Sequence, residues 1–423
     1  MSTTEYEAVP TVATDRAEAP PTTVPPGTIV MKFGGTSVGD PEKVKAVGRR
    51  LVAAREGGDR VVGVLSAMGH TTDELIALAR QVSPRPVPRE LDMLVSVGER
   101  ITCALAAMAI HDLGHEAISL TGSQAGIVTD TAHTKAKIVE VRARRIHEAL
   151  DDGKIVLVAG FQGVSTAYDV TTLGRGGTDL TAAALASALG AHACEIYTDV
   201  EGVFTADPRI VSGARKLHAV TYDEMLELAA SGARVLQLRS VEFARNHNVP
   251  LHVRSTFSDA DGTWITEEDE RMLEKAMISG VAHTTEETLY RVTGVPAARL
   301  FRALADAGVN VDTIVQTGDE IVFSAPSEDR AAAEPTLDDL GVSWSAREDL
   351  GKVSIVGAGM RSHPGIAART FATLDRLGIR PEVVSTSPIK IACYVPADDV
   401  DEAVRALHAT FELDQQAAER THA

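Results

Sequence analysis

The chain has 423 residues, of which 44% are hydrophobic and 4% aromatic, and its formal net charge at pH 7 is −18. This length suffices for two or three domains, and the acidity argues against nucleic acid and anionic membranes as general partners. Cys103, Cys194 and Cys393 lie far apart in apolar runs, so we expect buried thiols in a reducing, cytoplasmic compartment, and neither disulfides nor a metal site. No apolar run reaches the roughly 18 residues that a membrane span requires.

The chain is predicted to begin with a disordered tail, residues 1–27. This segment contains five prolines among many threonines and glutamates and lacks the apolar stretch of a signal peptide. From residue 28 to about residue 258, short apolar runs alternate with segments of helical periodicity. The alternation predicts an α/β domain with a mostly parallel sheet between layers of helices.

The first predicted strand, residues 29–33, runs directly into a Gly-Gly-Thr-Ser turn. Lys32 stands at the carboxyl end of this strand, where open α/β sheets bind ligands, and a lysine there can hold phosphoryl oxygens. Gly34, Gly35 and Ser37 follow as backbone and hydroxyl donors. Because the lysine precedes the glycines, the turn is neither a nucleoside-triphosphatase phosphate loop nor a dinucleotide-binding loop.

A second glycine-rich turn, residues 171–179, precedes an alanine-rich helical stretch. Thr178 is a good N-cap residue, so the free N–H groups of the helix are expected to face a ligand in the turn. Arg175 suits a carboxylate or a phosphate, whereas Asp179 would repel an anion unless a positive group is also present. Both signs of charge together suggest a zwitterionic or metal-bound substrate. Two ordinary strand-to-helix turns are the alternative.

A third polar loop follows the apolar segment 194–196. Thr198 and Asp199 place polar groups at the predicted strand end. Phe204 can cover a flat base, and Arg209 can reach phosphates. A surface loop capped by its own aspartates is the other interpretation of this segment.

Together, and in this order, the three elements resemble the aspartokinase family of the amino-acid kinase fold. The resemblance extends from about residue 29 to residue 414. Within this range, the segments 66–73, 98–99 and 232–237 also match motifs of the family. It implies that ATP phosphorylates the side-chain carboxylate of L-aspartate to give 4-phospho-L-aspartate. That carboxylate is ionised at pH 7, so the reaction needs no general base, and catalysis depends on stabilising the charge of the transferred phosphoryl group.

The resemblance also implies roles for individual residues. The expected catalytic residues are Lys32, which binds phosphoryl oxygens, and Asp179, which orients the network. L-aspartate is expected to contact Thr72, Glu99, Arg175 and Thr178, with Glu99 pairing with its ammonium group. ATP is expected to contact Lys32, Gly34, Gly35, Ser37, Thr198, Asp199, Phe204, Arg209 and Arg234. No residue is expected to ligate a metal directly, and Mg²⁺ is expected to bridge the nucleotide phosphates and to keep several waters.

After a predicted linker, residues 259–276, the sequence repeats itself. The segment 297–301 recurs 70 residues later as the segment 367–371, and the glycine turn at residue 308 recurs at residue 378. We therefore predict two α+β modules of βαββαβ type, residues 277–345 and 346–423. They resemble the paired ACT modules of aspartokinases, which sense end-product amino acids and whose sheets associate in homodimers or higher homo-oligomers.

The two predicted modules differ before their first helices. The second has the long loop 356–365, whereas the first passes from Val295-Pro296 directly to Ala297. In ACT modules this loop contacts the effector through backbone groups at a helix N-terminus. We therefore expect binding of lysine or threonine at the first module to be weakened or lost. Loop drift without a functional effect is the alternative.

Two other functions remain open from the sequence. One is another kinase of the same fold, acting on glutamate, acetylglutamate or a nucleotide. The other is a catalytically idle amino-acid sensor. Lys32, Glu99 and the twin C-terminal modules favour aspartate over the first, and the presence of Lys32, Arg175 and Asp179 argues against the second.

Overall fold

The computed structural model describes residues 27–267, 278–361, 363 and 365–414. All but the last residue of the predicted tail lies outside these ranges. The first range contains strands β1 (Thr28–Phe33), β2 (Arg60–Leu65), β3 (Ala117–Leu120), β4 (Ile127–Thr129), β5 (Ile138–Val141), β6 (Ile155–Ala159), β7 (Gln162–Ser165), β8 (Val170–Thr172), β9 (Ala193–Thr198), β10 (Ala219–Thr221), β11 (Leu251–Ser255) and β12 (Thr263–Thr266). Its helices are α1 (Pro41–Glu56), α2 (Thr71–Val82), α3 (Pro88–Val95), α4 (Val97–Asp112), α5 (Arg144–Asp151), α6 (Gly177–Leu189), α7 (Tyr222–Ala230) and α8 (Leu238–Asn246), with a 3-10 helix at Gly35–Val38.

Eight of these strands form one sheet in the order β10-β12-β11-β9-β1-β2-β6-β3. Every neighbouring pair is parallel except β11 and β12, which confirms the predicted mostly parallel sheet. The chain leaves β1 toward β2 on one side and reaches β9 on the other side only after a long excursion. The order of the strands therefore reverses beside β1, and ligands of open α/β sheets bind at such a point.

Alternate residues of β1 pack into two separate cores. Val30 belongs to the core that contains α5, α6, α7 and α8, whereas Met31 and Phe33 belong to the core that contains α1 and α4. Because side chains alternate along a strand, Lys32 lies on the same face as Val30, toward α6. Helices thus cover both faces of the sheet, and the pleat of β1 alone directs Lys32 to one of them.

A second, smaller sheet in the order β5-β4-β7-β8 adjoins the main one. Its last strand, β8, ends at Thr172, immediately before the glycine-rich turn that leads to α6. The loop of the β4–β5 hairpin, residues 130–137, is joined to the same end of β8 by a hydrogen bond from the Ala136 amide to the Thr172 carbonyl (2.9 Å). This sheet therefore fixes the start of the turn.

The C-terminal part contains two four-stranded sheets in the orders β15-β16-β14-β17 and β13-β18-β20-β19. Its strands are β13 (Gly280–Thr284), β14 (Glu287–Thr293), β15 (Ile314–Thr317), β16 (Glu320–Pro326), β17 (Ser343–Arg347), β18 (Leu350–Val356), β19 (Val383–Ser387) and β20 (Lys390–Pro396). Its helices are α9 (Ala297–Asp306), α10 (Arg330–Leu340), α11 (Ile366–Arg376) and α12 (Val400–Thr410), with 3-10 helices at Ser327–Asp329, Ala358–Arg361 and Ala397–Asp399.

Two elements differ from the predicted domain boundaries. Strand β12 falls within the predicted linker, yet it pairs with β10 and β11, so the first domain continues to Thr266. Strand β13 falls within the predicted first module, yet it pairs with β18 as the fourth strand of the second module. The first module, β14 to β17, is thus inserted after this strand. The repeated segments found in the sequence begin at residue 297, after β13, so they gave no sign of which sheet this strand joins.

One helical stretch, Pro88–Asp112, is long and apolar enough to cross a membrane, judged by length and composition alone. Half of its most apolar window is buried inside the fold, and the buried residues of the stretch include Asp92, Glu99 and Cys103. These features are typical of a core helix of a globular domain. All three cysteines of the chain are buried and unpaired, as their apolar surroundings predict.

Candidate active site

Lys32 and Asp179 meet at the carboxyl end of β1. The Lys32 Nζ lies 2.5 Å from the Asp179 Oδ1, and both side chains are about nine-tenths buried. Asp179 stands in the first turn of α6, where the helix dipole favours a negative charge. The two residues named from separate sequence motifs therefore form one buried ion pair.

The turn that precedes α6 can be made only with glycine at its key positions. Gly174 and Gly176 have φ angles of 79° and 73°, in the left-handed region that disfavours other residues. A Cβ on Gly176 would lie 1.9 Å from the Gln237 side chain. Gly176 is also the N-cap of α6 and supplies no side-chain cap, so the helix begins earlier than the N-cap prediction for Thr178. Thr178 lies inside the first turn instead.

A cavity of about 210 Å³ opens between the ends of β1, α4 and α6. It is bounded by five of the predicted site residues, namely Gly35, Thr72, Glu99, Arg175 and Thr178. The remaining walls include residues of the loop after β2 and Phe161, whose φ angle of 67° is unusual for a residue other than glycine. Phe161 had no sequence signal, because a positive φ is visible only in the fold.

Glu99 is the buried acid of this cavity. It lies on α4 and is only 3% exposed, and its Oε1 accepts a hydrogen bond from the Ala67 amide at 3.2 Å. Its Oε2 has no hydrogen-bond partner among the described residues. Burial raises the pKa of the Glu99 carboxyl group from 4.5 to about 7. An oxygen that is buried and unpartnered in this way suits a bound ammonium group.

Two residues of the first motif have structural partners. Gly34 donates its amide to the Tyr197 carbonyl at 3.3 Å and so joins the ends of β1 and β9. Ser37 is fully buried, and its hydroxyl lies 2.7 Å from that of Thr256. The structure therefore places Ser37 beside the strand ends and outside the lining of the cavity.

The later residues predicted to contact the nucleotide lie at the end of β9 and in the loop that follows it. Thr198 and Asp199 end β9 and hydrogen bond to each other at 3.0 Å. Phe204 is half-buried in the same loop, and Arg209 forms two-pronged contacts with Asp207 at 3.0 and 2.6 Å. None of these residues lines the cavity, and neither do Lys32 and Asp179, which lie next in sequence to or near the lining residues Gly35 and Thr178. The predicted nucleotide residues follow β9 directly, so they share the carboxyl edge of the sheet with Lys32.

Arg234 contacts the C-terminal part of the chain. Its guanidinium forms an ion pair with Glu286, in the turn between β13 and β14. The hydrogen bond from Arg234 lowers the pKa of the Glu286 carboxyl group, and the positive charge of Arg175 lowers it further. Behind this pair, a Cβ on Gly232 would collide with the His283 carbonyl of β13. The loop that contains Arg234 is therefore packed directly against the regulatory modules.

Comparisons with known proteins agree with this architecture. A model of the amino acid kinase family matches residues 27–255, and a model of the ACT domain matches residues 353–411. The fold is similar to that of the crystal structure of E. coli aspartokinase III in complex with aspartate and ADP, with a TM-score of 0.80 and 24% identity over 90% of this chain and 99% of that one. The crystal structure of aspartate kinase from Synechocystis is 39% identical, with a TM-score of 0.53, over 91% of this chain and 69% of that one.

Full-length relatives are closer in sequence. The aspartokinase of Mycobacterium tuberculosis is 50% identical over 404 residues, which cover 91% of this chain and 96% of the relative. The aspartokinase of Corynebacterium glutamicum is 49% identical over the same shares of the two chains. The resemblance seen in the motifs thus extends over almost the whole length. The chain belongs to the aspartokinase family, the kinases that phosphorylate aspartate with ATP.

Proposed function

We propose that this chain transfers the γ-phosphoryl group of ATP to the side-chain carboxylate of L-aspartate in the cavity between β1, α4 and α6. The observation that supports this most is the pair of opposite charges in the walls, the unpartnered Glu99 oxygen and the Arg175 guanidinium. An amino acid with an acidic side chain has one ammonium and two carboxylate groups. Glu99 holds the ammonium group and Arg175 holds one carboxylate, which leaves the second carboxylate free to react.

Lys32 then acts on the transferred group. It lies at the strand end that faces the start of α6, and its ammonium binds the phosphoryl oxygens as their charge shifts toward the acceptor. Asp179 keeps the Lys32 ammonium in place through the ion pair at 2.5 Å. Thr72 and Thr178 complete the substrate contacts. The amide of Gly35 gives an N–H donor at the same end of the sheet, where the Gly34 amide already donates to the Tyr197 carbonyl.

The loop after β9 is assigned to the nucleotide. Thr198, Asp199 and Phe204 are assigned to the base side, whereas the buried Ser37 hydroxyl contacts Thr256 and holds the first turn in place. Arg209 and Arg234 are held by Asp207 and Glu286 in the described structure, so nucleotide phosphates have to replace those carboxylates as their partners. Arginine suits this exchange because its planar fork matches a phosphate as well as a carboxylate.

Mg²⁺ fits this site as an ion held by the nucleotide. Among the residues that the structure describes, no cluster of three or more His, Cys, Asp or Glu side chains could enclose a metal. Mg²⁺ commonly binds to substrate phosphates and waters, with one or two carboxylates at most. When bound it would neutralise phosphate charge, and Asp179 and Asp199 are acidic residues of the assigned site that could contact it directly or through water.

The reaction is tested by trapping the acyl phosphate with hydroxylamine. We expect hydroxamate to form only when ATP, Mg²⁺ and L-aspartate are all present. Glutamate and acetylglutamate serve as competing acceptors and are expected to give none. A nucleoside monophosphate is tested by ADP release instead, because its diphosphate product contains no acyl phosphate and forms no hydroxamate. Preferential turnover of any of these acceptors would contradict the proposal, and no turnover with any acceptor would support an idle amino-acid sensor.

We expect lysine and threonine to act weakly through the first module. In that module only Gly294, Val295 and Pro296 separate β14 from α9, whereas nine residues separate β18 from α11 in the second. The shorter connection removes backbone donors from the helix N-terminus at which an effector carboxylate would bind. Isothermal titration with each amino acid, with and without aspartate, measures this. Submillimolar binding together with loss of turnover would contradict the expectation.

We also propose that the modules join the chains in a homodimer or a higher homo-oligomer.

A further inference from the structure

Asp92 is a buried carboxylate of α3 with no place in the motifs. It is fully buried and accepts four hydrogen bonds, from Thr172 at the end of β8 and from His133 and Thr134 in the loop between β4 and β5. The Thr172 hydroxyl donates to its Oδ1 at 2.5 Å, and the His133 ring contacts its Oδ2 at 2.8 Å. The Thr134 amide donates to both oxygens, at 3.2 and 3.0 Å. The end of β8 and the β4–β5 loop are therefore joined by one side chain.

The end of β8 and the β4–β5 loop both adjoin the glycine-rich turn that precedes α6 and contains Arg175. Thr172 is the last residue of β8 and stands three positions before Arg175. Thr134 is held at a φ angle of 66°, and its carbonyl presses on Gly174, where a Cβ would lie only 3.1 Å away. A strained residue of this kind persists only where its surroundings fix it. The Asp92 carboxylate supplies that restraint.

A second side chain, from α8, also joins these two segments. The Arg239 guanidinium donates to the Leu173 carbonyl at 2.7 Å and to the Ala136 carbonyl at 3.1 Å. Because its acceptors are backbone carbonyl oxygens, this contact does not involve the Asp92 carboxylate. The start of the turn is thus held between a carboxylate from α3 and a guanidinium from α8.

The helical stretch that contains Asp92 also contains Glu99. Helices α3 and α4 follow each other with one residue between them, so Asp92 and Glu99 belong to one nearly continuous element. Glu99 reaches the cavity directly, and Asp92 fixes the loop that presents Arg175 to it. We propose that Asp92 is a positioning residue that sets the separation between Arg175 and Glu99, and so determines how well the enzyme binds the two charged ends of its amino-acid substrate.

This inference rests on the proposed function, and it predicts a selective defect. An asparagine at position 92 keeps the shape but cannot accept all four hydrogen bonds. We expect Asp92→Asn to raise the KM for aspartate and its Kd by about tenfold or more, because a charge-assisted hydrogen bond is lost. The KM for ATP should change by less than about twofold, because the nucleotide loop has no contact with Asp92.

Two milder variants at Thr172 test the same role without changing Asp92, so the test remains valid even if the Asp92 variant does not fold. Thr172→Val removes only the hydroxyl and is expected to raise the aspartate Kd, whereas Thr172→Ser keeps the hydroxyl and should retain the wild-type value. Asp112→Asn, at the exposed end of α4, is the matched control. Aspartate binding is followed by titration calorimetry and turnover by the hydroxamate assay.

The outcomes separate the two proposals. A raised aspartate Kd in Thr172→Val that Thr172→Ser restores supports the positioning role. Equal changes in the aspartate and ATP constants, or no change in either Thr172 variant, overturn it. If the unaltered protein neither binds aspartate nor forms hydroxamate, the proposed function itself fails, and the positioning role fails with it.

Discussion

Replacing Lys32 with methionine is expected to lower kcat by at least about 10²–10³-fold, the usual effect of removing one preorganised group that stabilises transition-state charge. Methionine fills a similar volume without a charge, so the cavity keeps its shape. The KM for aspartate should change far less, because Glu99 and Arg175 are the residues proposed to hold the substrate. The measurement is steady-state hydroxamate formation with both substrates varied.

The same substitution is expected to destabilise the fold. It leaves Asp179 buried with no cation beside it, and breaking a buried ion pair from one side costs about 3–5 kcal/mol. The double variant Lys32→Met with Asp179→Asn should therefore recover most of the lost thermal stability and none of the lost turnover. This pattern separates a catalytic defect from partial unfolding.

Lys45 is the matched control for Lys32. Its side chain is more than half exposed on α1 and contacts only Glu42 among the described residues. We expect Lys45→Met to keep wild-type turnover and stability, since exposed ion pairs contribute little. Turnover of Lys32→Met within threefold of the wild-type rate would show that the lysine of the first motif has no role in the reaction.

The positions of Lys32 and Asp179 could be predicted from the sequence because each residue has a local signal. Lys32 ends an apolar strand and Asp179 begins an alanine-rich helix, and both strand ends and helix starts can be identified from neighbouring residues. The parallel sheet and the alternation of its faces then bring the two together. The family resemblance, and no local signal, assigned Glu99, Arg175 and Thr178 to one substrate, and all three line one cavity.

Other features depend on contacts between distant segments and have no local signal. Asp92 looks like an ordinary acidic residue of an amphipathic helix, and only the fold shows that two loops end on it. Strand β13 is too short to reveal which sheet it joins. The pairing of Arg234 with Glu286 is likewise a contact between domains. Each of these features depends on packing over more than 35 residues of separation in the sequence.

Glu99 is expected to make aspartate binding depend on pH. Its pKa is raised to about 7 in the unliganded protein, and the substrate ammonium favours the ionised carboxylate. Affinity should therefore rise as pH increases through 7, and the Kd should fall by about tenfold between pH 6 and pH 8. Glu99→Gln cannot ionise, so its affinity should be weaker at pH 8 and nearly independent of pH. Titration calorimetry at several pH values measures both.

The same shift predicts that Glu99→Gln stabilises the unliganded fold at high pH. An acid whose pKa is higher in the folded state than the unfolded value of 4.5 binds a proton on folding between these two pKa values. Stability therefore falls as pH rises from 4.5 to 7, and the folded protein bears a penalty of about 3 kcal/mol above pH 7. Glutamine removes this penalty and still accepts the Ala67 hydrogen bond.

Chemical denaturation at pH 5 and pH 8 tests this second consequence. We expect Glu99→Gln to exceed the wild type in free energy of unfolding at pH 8, with little difference at pH 5. Glu90→Gln, an exposed neighbour on α3, should match the wild type at both. A variant that is less stable at pH 8 and binds aspartate normally would mean that Glu99 is a structural acid. A gain in stability with a loss of affinity would mean that the protein keeps an unpartnered charge in its core because the substrate supplies the partner.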